Sequence, residues 1–310
     1  MPAPRTVFLY PGQGAVPETN PAELFEGHPE IAEDFSAYAP DLGDLADFHQ
    51  AAPMDDYTAQ RGVYALTLAM SNALMRRGLT PDALGGHSLG VYAAWAGGGG
   101  LAPHDGARVV RHAYDAIAAC PMEDEYAVLA VIGLSRDEIG TLLGDMTPPA
   151  WVSVINNRRQ LLVSLPRPHV SKFMDNCTAA GALRTMRLPF ERACHVPPHE
   201  AATTSLRAML DGLDIAPTRM PLYSSLRPEP LHEPADIADV VSWQLSRPLD
   251  WLGTVNRLIL AGAERFVCLD PTMTLARIVL WISRKVEVVG VTSSRDIDSL
   301  THEFCNAEQL

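Results

Sequence analysis

Apolar positions along this chain change period several times, and the changes mark its elements. Residues 6–10, TVFLY, form a continuous apolar run that stops at Pro11-Gly12. A short run of this kind, bounded by turn residues, predicts a buried strand ending in a loop. Over residues 57–78 apolar side chains recur at helical spacing, and Arg76-Arg77-Gly78 closes the stretch. Cations in a last turn followed by glycine are a helix C-terminal signal. Residues 103–120 repeat the helical pattern between Pro103 and Pro121. Residues 126–189 have their own rhythm. YAVLAVIG reads as strand, and SRDEIGTLLGDM as helix with Ser135 and Glu138 spaced as a capping box. WVSVINN and QLLVSLP read as strands around the turn Asn157-Arg158-Arg159, PHVSKFMDNCTAAG as helix and LRTMRLP as strand. That is β-α-β-β-α-β, the ferredoxin-like order. Beyond it HEAATTSLRAMLDGL and DIADVVSWQLSRPLDWLGTVNRLILAG read as helices, RFVCLD as strand, 273–284 as helix, VEVVGV as strand, and the tail past Asp298 as a last helix.

Strands alternating with helices predict an α/β architecture. The expectation is a large α/β-hydrolase-like unit with a parallel sheet, built from residues 1–124 and 190–310. A small ferredoxin-like unit, 125–189, is inserted into it.

Composition narrows the function. The 310 residues are 47% hydrophobic and 20% charged, ordinary values for a globular chain. A formal net charge of −13 argues against nucleic acid as the main partner, because phosphate binding needs a basic field. The N-terminal stretch MPAPRTVFLYPGQG lacks a basic segment followed by a long apolar core. No run approaches the roughly 18 apolar residues of a membrane span. Five scattered cysteines (Cys120, Cys177, Cys194, Cys268, Cys305) show no CxxC spacing. Together these predict a cytoplasmic protein with reduced, structural thiols, no membrane partner and no metal.

Candidate chemistry lies in three places. Gly86-His87-Ser88-Leu89-Gly90 fits G-x-S-x-G, a sharp strand-to-helix turn that presents serine at a helix N-terminus. There free backbone N–H groups, Leu89 among them, stabilise a developing oxyanion. The bare pattern is weak, since on the order of 0.1 matches arise by chance in such a chain, and the strand before it is poorly marked. Tyr10-Pro11-Gly12-Gln13-Gly14 follows the first strand, and a glycine-rich loop lets backbone approach a ligand. Third is CHVPPHE, where two prolines stiffen the approach to His199, with His195 as a polar competitor four residues earlier.

PGQG, GHSLG and VPPH occur in an order and spacing that resemble malonyl-CoA:acyl-carrier-protein transacylases and the acyltransferase domains of polyketide synthases. The similarity covers roughly residues 5–290, the inserted unit included. It implies a ping-pong acyltransferase without a bound cofactor, the acyl group arriving on coenzyme A or on the phosphopantetheine of an acyl carrier protein. Ser88 is then the nucleophile, His199 the general base, and the N–H groups of Gln13 and Leu89 the oxyanion hole. The family's histidine is oriented by a backbone carbonyl, expected here from Asp270–Met273. Gln60 and Asn156 resemble family residues, Asn156 one that lines the pocket, and His87, Tyr114 and Pro198, the last a departure from the family's usual Ser or Phe, are expected to line it too.

One departure changes the substrate. Malonyl-specific members carry an arginine on the helix after the nucleophile, whose guanidinium pairs with the substrate carboxylate. An ungapped count places Ala113 there, and Arg111 lies about 200° around the helix. Without a cation, a buried malonyl carboxylate would be uncompensated. The resemblance then points to stand-alone acyltransferases of polyketide and antibiotic biosynthesis that lack this arginine. Those enzymes move acyl groups such as aminoacyl or dipeptidyl starters. Alternatives on the same fold are an editing acyl-carrier-protein hydrolase, a malonyl transacylase with a displaced arginine, and a non-catalytic carrier-binding protein. Carrier proteins are acidic, so docking is expected on local cations: Arg136, Arg158, Arg159, Arg187, Arg277 and Arg284.

Overall fold

The computed structural model describes residues 6–50, 54–120, 122, 125–144 and 146–307. The first strand, β1 (Thr6–Tyr10), falls on the TVFLY run, and four of its five residues are buried. Three short helices follow, α1 (Pro21–Leu24), α2 (Pro29–Tyr38) and α3 (Leu45–Gln50). The long helix α4 (Asp56–Arg76) starts on an Asp55 cap that accepts from the Thr58 N–H. Then come β2 (Ala83–Gly86), α5 (Gly90–Gly97) and α6 (Pro103–Ala119). β2 is the strand whose pattern was too short and glycine-rich to stand out in sequence.

The segment from 126 to 187 folds as β3 (Tyr126–Ile132), α7 (Arg136–Leu143), β4 (Trp151–Asn157), β5 (Gln160–Pro166), α8 (Val170–Ala179) and β6 (Arg184–Arg187). Both bonds of the Ser135–Glu138 capping box are present. The chain continues through α9 (Glu200–Leu210), β7 (Leu222–Ser224), α10 (Pro234–Trp243), β8 (Leu249–Asp250) and α11 (Trp251–Leu260). It ends with β9 (Arg265–Cys268), α12 (Thr274–Ile282), β10 (Glu287–Gly290) and α13 (Ser294–Ala307).

Two five-stranded sheets result. The first has the order β10-β9-β1-β2-β7 and is parallel throughout. Helices cover it: Trp95 on α5 and Trp251 on α11 are fully buried against its two apolar clusters. Burial on both faces is what a parallel sheet requires, and it explains the unbroken apolar runs. The second sheet has the order β6-β3-β5-β4-β8. Its four strands from 126–187 pair antiparallel, and β8 adds to β4 in parallel. β7 and β8, three and two residues long, are strands the periodicity did not predict. Such lengths carry too few positions to show alternation. Among the described residues, no helix is long and apolar enough to cross a membrane.

Candidate active site

In a parallel sheet all strands end on one edge, and ligands bind in the crevice beyond it. Here β1 and β2 are neighbours in register, Tyr10 opposite Gly86. Their following loops, Pro11–Ala15 and His87–Leu89, therefore open side by side. The His87 N–H donates to the Tyr10 carbonyl at 3.0 Å and holds them together.

The glycines of the G-x-S-x-G stretch are there for want of room. A Cβ on Gly86 would run into the backbone of Val91, and one on Gly90 into the carbonyl of Tyr10. Ser88 between them has φ of 52°, the left-handed conformation of a strained turn. Ser88 lines a cavity of about 430 Å³.

The residue that meets it is His195. Ser88 Oγ and His195 Nε2 are 2.8 Å apart. His195 also has positive φ, 62°. Two bonds clamp it to the end of α10: its Nδ1–H donates to the Gln244 carbonyl at 2.6 Å, and its backbone N–H to the Leu245 carbonyl at 3.0 Å. The last carbonyls of a helix lack intrahelical partners and carry partial negative charge, so they make good fixed acceptors. With Nδ1 donating, Nε2 is left as a lone pair facing the serine hydroxyl. That is the tautomer a general base needs. Burial pushes the His195 pKa down to about 4, so the ring is neutral near pH 7.

Three expectations are corrected here. His199 does not face Ser88. It lies at the end of a 3-10 turn, Pro197–His199, that leads into α9, and is 1% exposed. Its Nε2 bonds back to the Ala193 carbonyl at 2.7 Å. The prolines stiffen a turn that carries His199 into the interior, while the left-handed residue before them swings into the cleft. Second, Asp270–Met273 does not supply the orienting carbonyl. The Asp270 carboxylate instead accepts from the N–H groups of Thr272 and Leu275 at the start of α12. Third, Pro198 is exposed and lies outside the cavity lining.

Most of the other expected positions fall around the cavity. Gln13 and Leu89 flank the cavity beside Ser88, and among the described residues neither backbone N–H is bonded to a protein acceptor. Gln60, His87, Ala113, Tyr114 and Asn156 line it. His87 Nε2 donates to Asn156 Oδ1 at 2.9 Å, and its ring stands edge-on to Trp251. This bond ties the elbow of the first sheet to β4 of the second. Ala113 on α6 is 5% exposed. Arg111 turns away, its Nε 2.7 Å from Asp115 and its guanidinium 4.6 Å from the centre of the Tyr57 ring. The remaining walls are largely apolar, with Ile117, Val128, Leu162, Leu188 and Phe190 among them. Sequence reasoning missed Asp56, Arg192 and Cys194 as lining residues. Only Cys194 carried a signal, its place beside His195; burial raises its thiol to about 12, which keeps it protonated.

A second, more open groove reaches His195 from outside, between Arg136, Trp151, Pro197 and Pro248. Of the expected docking cations, all six are exposed. Arg159 is paired with Glu138 at 2.8 Å. The other five have no ion pair among the described residues. Four cysteines are free thiols; the side chain of Cys305 lies outside the described residues.

Fold and site together define an α/β protein with a serine elbow and an adjacent buried histidine at the carboxyl edge of a parallel sheet. The acyl transferase domain family matches residues 7–261, and the chain belongs to that family. It is an acyltransferase. A similar relative is the malonyl CoA-acyl carrier protein transacylase of Bacillus subtilis (strain 168), 24% identical over 302 residues that cover 95% of each chain. Among solved structures, the malonyl CoA-acyl carrier protein transacylase of Coxiella burnetii matches with TM-score 0.86 and 23% identity, covering 97% of this chain and 98% of that one. A malonyl-transacylase solved in complex with a type II polyketide synthase acyl-carrier protein matches with TM-score 0.88 and 20% identity, covering 96% and 99%.

Proposed function

We propose that this acyltransferase moves an acyl group without a free carboxylate onto, or between, acyl carrier proteins of polyketide assembly. Its intermediate is an ester on Ser88. The observation that carries the reading is the 2.8 Å contact between Ser88 and a neutral His195, opening on a cavity whose α6 wall bears Ala113.

His195 Nε2 takes the Ser88 proton as Oγ attacks the thioester carbonyl. The oxyanion develops between the Gln13 and Leu89 N–H groups. On collapse the C–S bond breaks, and His195 returns its proton to the leaving thiolate. In the second half His195 takes the proton of the carrier's phosphopantetheine thiol. The sulfur attacks the ester, and the proton passes to Ser88 Oγ as the C–O bond breaks. The groove beside Arg136 also has His195 in its lining, which suits an incoming thiol.

Supporting the acyl preference, a carboxylate in this apolar chamber would meet no cation at position 113, and Arg111 is held elsewhere. The aminoacyl and dipeptidyl starters of arginine-lacking relatives are compatible with its volume. The test is intact-mass measurement after incubation with acyl-pantetheine thioesters, with and without phosphopantetheinylated carrier protein. A serine adduct that is lost in Ser88→Ala and discharges to the carrier is expected. An adduct that drains to water at the same rate with or without carrier would make the protein a hydrolase. Loading by malonyl-CoA alone would restore the malonyl reading.

A further inference from the structure

One wall of the acyl cavity ends in a cluster that the chemistry above does not use. On α6, Ala113 and Ile117 line the chamber and are buried, whereas Tyr114 lines it and is partly exposed, so its ring stands at the rim. The Tyr114 hydroxyl accepts from Arg192 Nη1 at 3.1 Å and donates to Glu191 Oε2 at 3.3 Å. The same arginine nitrogen donates to that carboxylate at 3.3 Å, which closes a triangle of bonds.

The ring is held as well as its tip. Tyr57 on α4 packs against it, ring centres 5.3 Å apart, and the Arg192 guanidinium lies 5.3 Å from its centre. Next to Tyr57, Asp56 Oδ2 accepts the Glu191 N–H at 2.7 Å, and the charge of Arg192 favours its ionised form. Three stretches far apart in sequence therefore meet on one phenol: α4, α6 and the chain that follows β6. An acyl chain extending from Ser88 along Ala113, Ile117 and Val128 would meet here a fixed ring whose polar neighbours are already bonded to one another. Pushing a methylene past it would force the ring aside, which is an overpacking cost. It would also break the triangle and leave Glu191 and Arg192 short of partners.

We propose that the Tyr114 ring, held by Glu191, Arg192 and Tyr57, sets the length limit of the acyl chain this cavity accepts. This rests on the acyl-transfer reading of Ser88. Selection at this wall is steric: it acts on the reach of the chain and is indifferent to the group at its end.

The test uses straight-chain saturated acyl pantetheine thioesters lengthened stepwise, with Ser88 acylation read by intact mass. Each protein is scored by its ratio of long-chain to short-chain loading, a quantity that a smaller folded fraction does not change. The wild type is expected to load chains up to a limit and to slow about tenfold or more beyond it. Tyr114→Ala should move that limit to longer chains, raising the ratio about tenfold at the first length the wild type rejects. Tyr114→Phe keeps the ring and its contact with Tyr57, so its limit should move less than that of Tyr114→Ala. Three outcomes overturn the proposal: no length limit in the wild type, an unchanged limit in Tyr114→Ala, or a limit in Tyr114→Phe that moves as far as in Tyr114→Ala. Adducts whose length profile ignores Tyr114 leave the transfer reading intact and remove this one; no adduct from any thioester removes both.

Discussion

His195 and His199 are four residues apart, both buried, and differ in what their ring nitrogens meet. His195 is clamped in the left-handed conformation by two carbonyls at the end of α10, with its free nitrogen on Ser88. His199 spends its Nε2 on Ala193. His195→Ala should lower Ser88 acylation by about 10²–10⁴-fold, the range for loss of a general base. His199→Ala should leave acylation within about tenfold and instead cost roughly 1–3 kcal/mol of stability, because the Ala193 carbonyl loses its partner. Stopped-flow acylation and chemical denaturation of both variants separate the two roles. Burial also holds the His195 pKa down at about 4. Protonation of the base is what stops the reaction, so the acid limb of kcat/KM should lie toward pH 4. A limb near the ordinary histidine value of about 6.5 would contradict the buried, neutral base. At this scale the sequence singled out Ser88 and paired it with His199, whereas the histidine within hydrogen-bond reach of Ser88 is His195. The deciding facts are a positive φ and a carbonyl 49 residues away; neither leaves a local mark on the letters CHVPPHE.

At the scale of elements the letters were more informative. The Ser135 capping box, the TVFLY strand and the β-α-β-β-α-β order are local patterns, and each folds as its period predicts. β7 and β8 escaped because pairing partners make them strands, not composition. The elbow between β2 and α5 falls between these cases. Its glycines are conspicuous, yet only the neighbouring β1 shows why they are required. Gly90→Ala should force its new methyl against the Tyr10 carbonyl. Backbone cannot retreat as a flexible side chain can, so a loss of about 1–3 kcal/mol is expected. Because the displaced strand end carries the Gln13 loop, acylation should fall along with the melting temperature. A variant that melts normally and acylates normally would show that the two loops are not in contact.

For the whole molecule, the net charge of −13 bears on the approach of the proposed carrier protein. An acidic carrier meets general repulsion and must be guided by local cations. Arg136, at the groove to His195, and Arg277 and Arg284, on and just past α12, are exposed and have no ion pair among the described residues. Arg159 is already neutralised by Glu138. Arg136→Glu, Arg277→Glu and Arg284→Glu should each raise KM for the carrier protein several-fold, more at low salt than at high salt. Their rates with free pantetheine as acceptor should stay unchanged. Unaltered carrier kinetics in all three would place docking elsewhere.

The two-residue strand β8 has a consequence for any attempt to rebuild this enzyme. Leu249 and Asp250 pair with Val154 and Ile155 of β4, the Asp250 N–H holds the Ser225 carbonyl, and the Asp250 side chain caps α11. The small sheet is therefore completed by chain that belongs, in order along the polypeptide, to the other unit. A chimera that exchanges residues 125–189 with a homologue would replace one side of this seam and keep the other. Its crossover points would have to carry 249–250 and the His87–Asn156 bridge along with the insert, so the graft is discontinuous: what looks like a cassette in the sequence is not one in the fold.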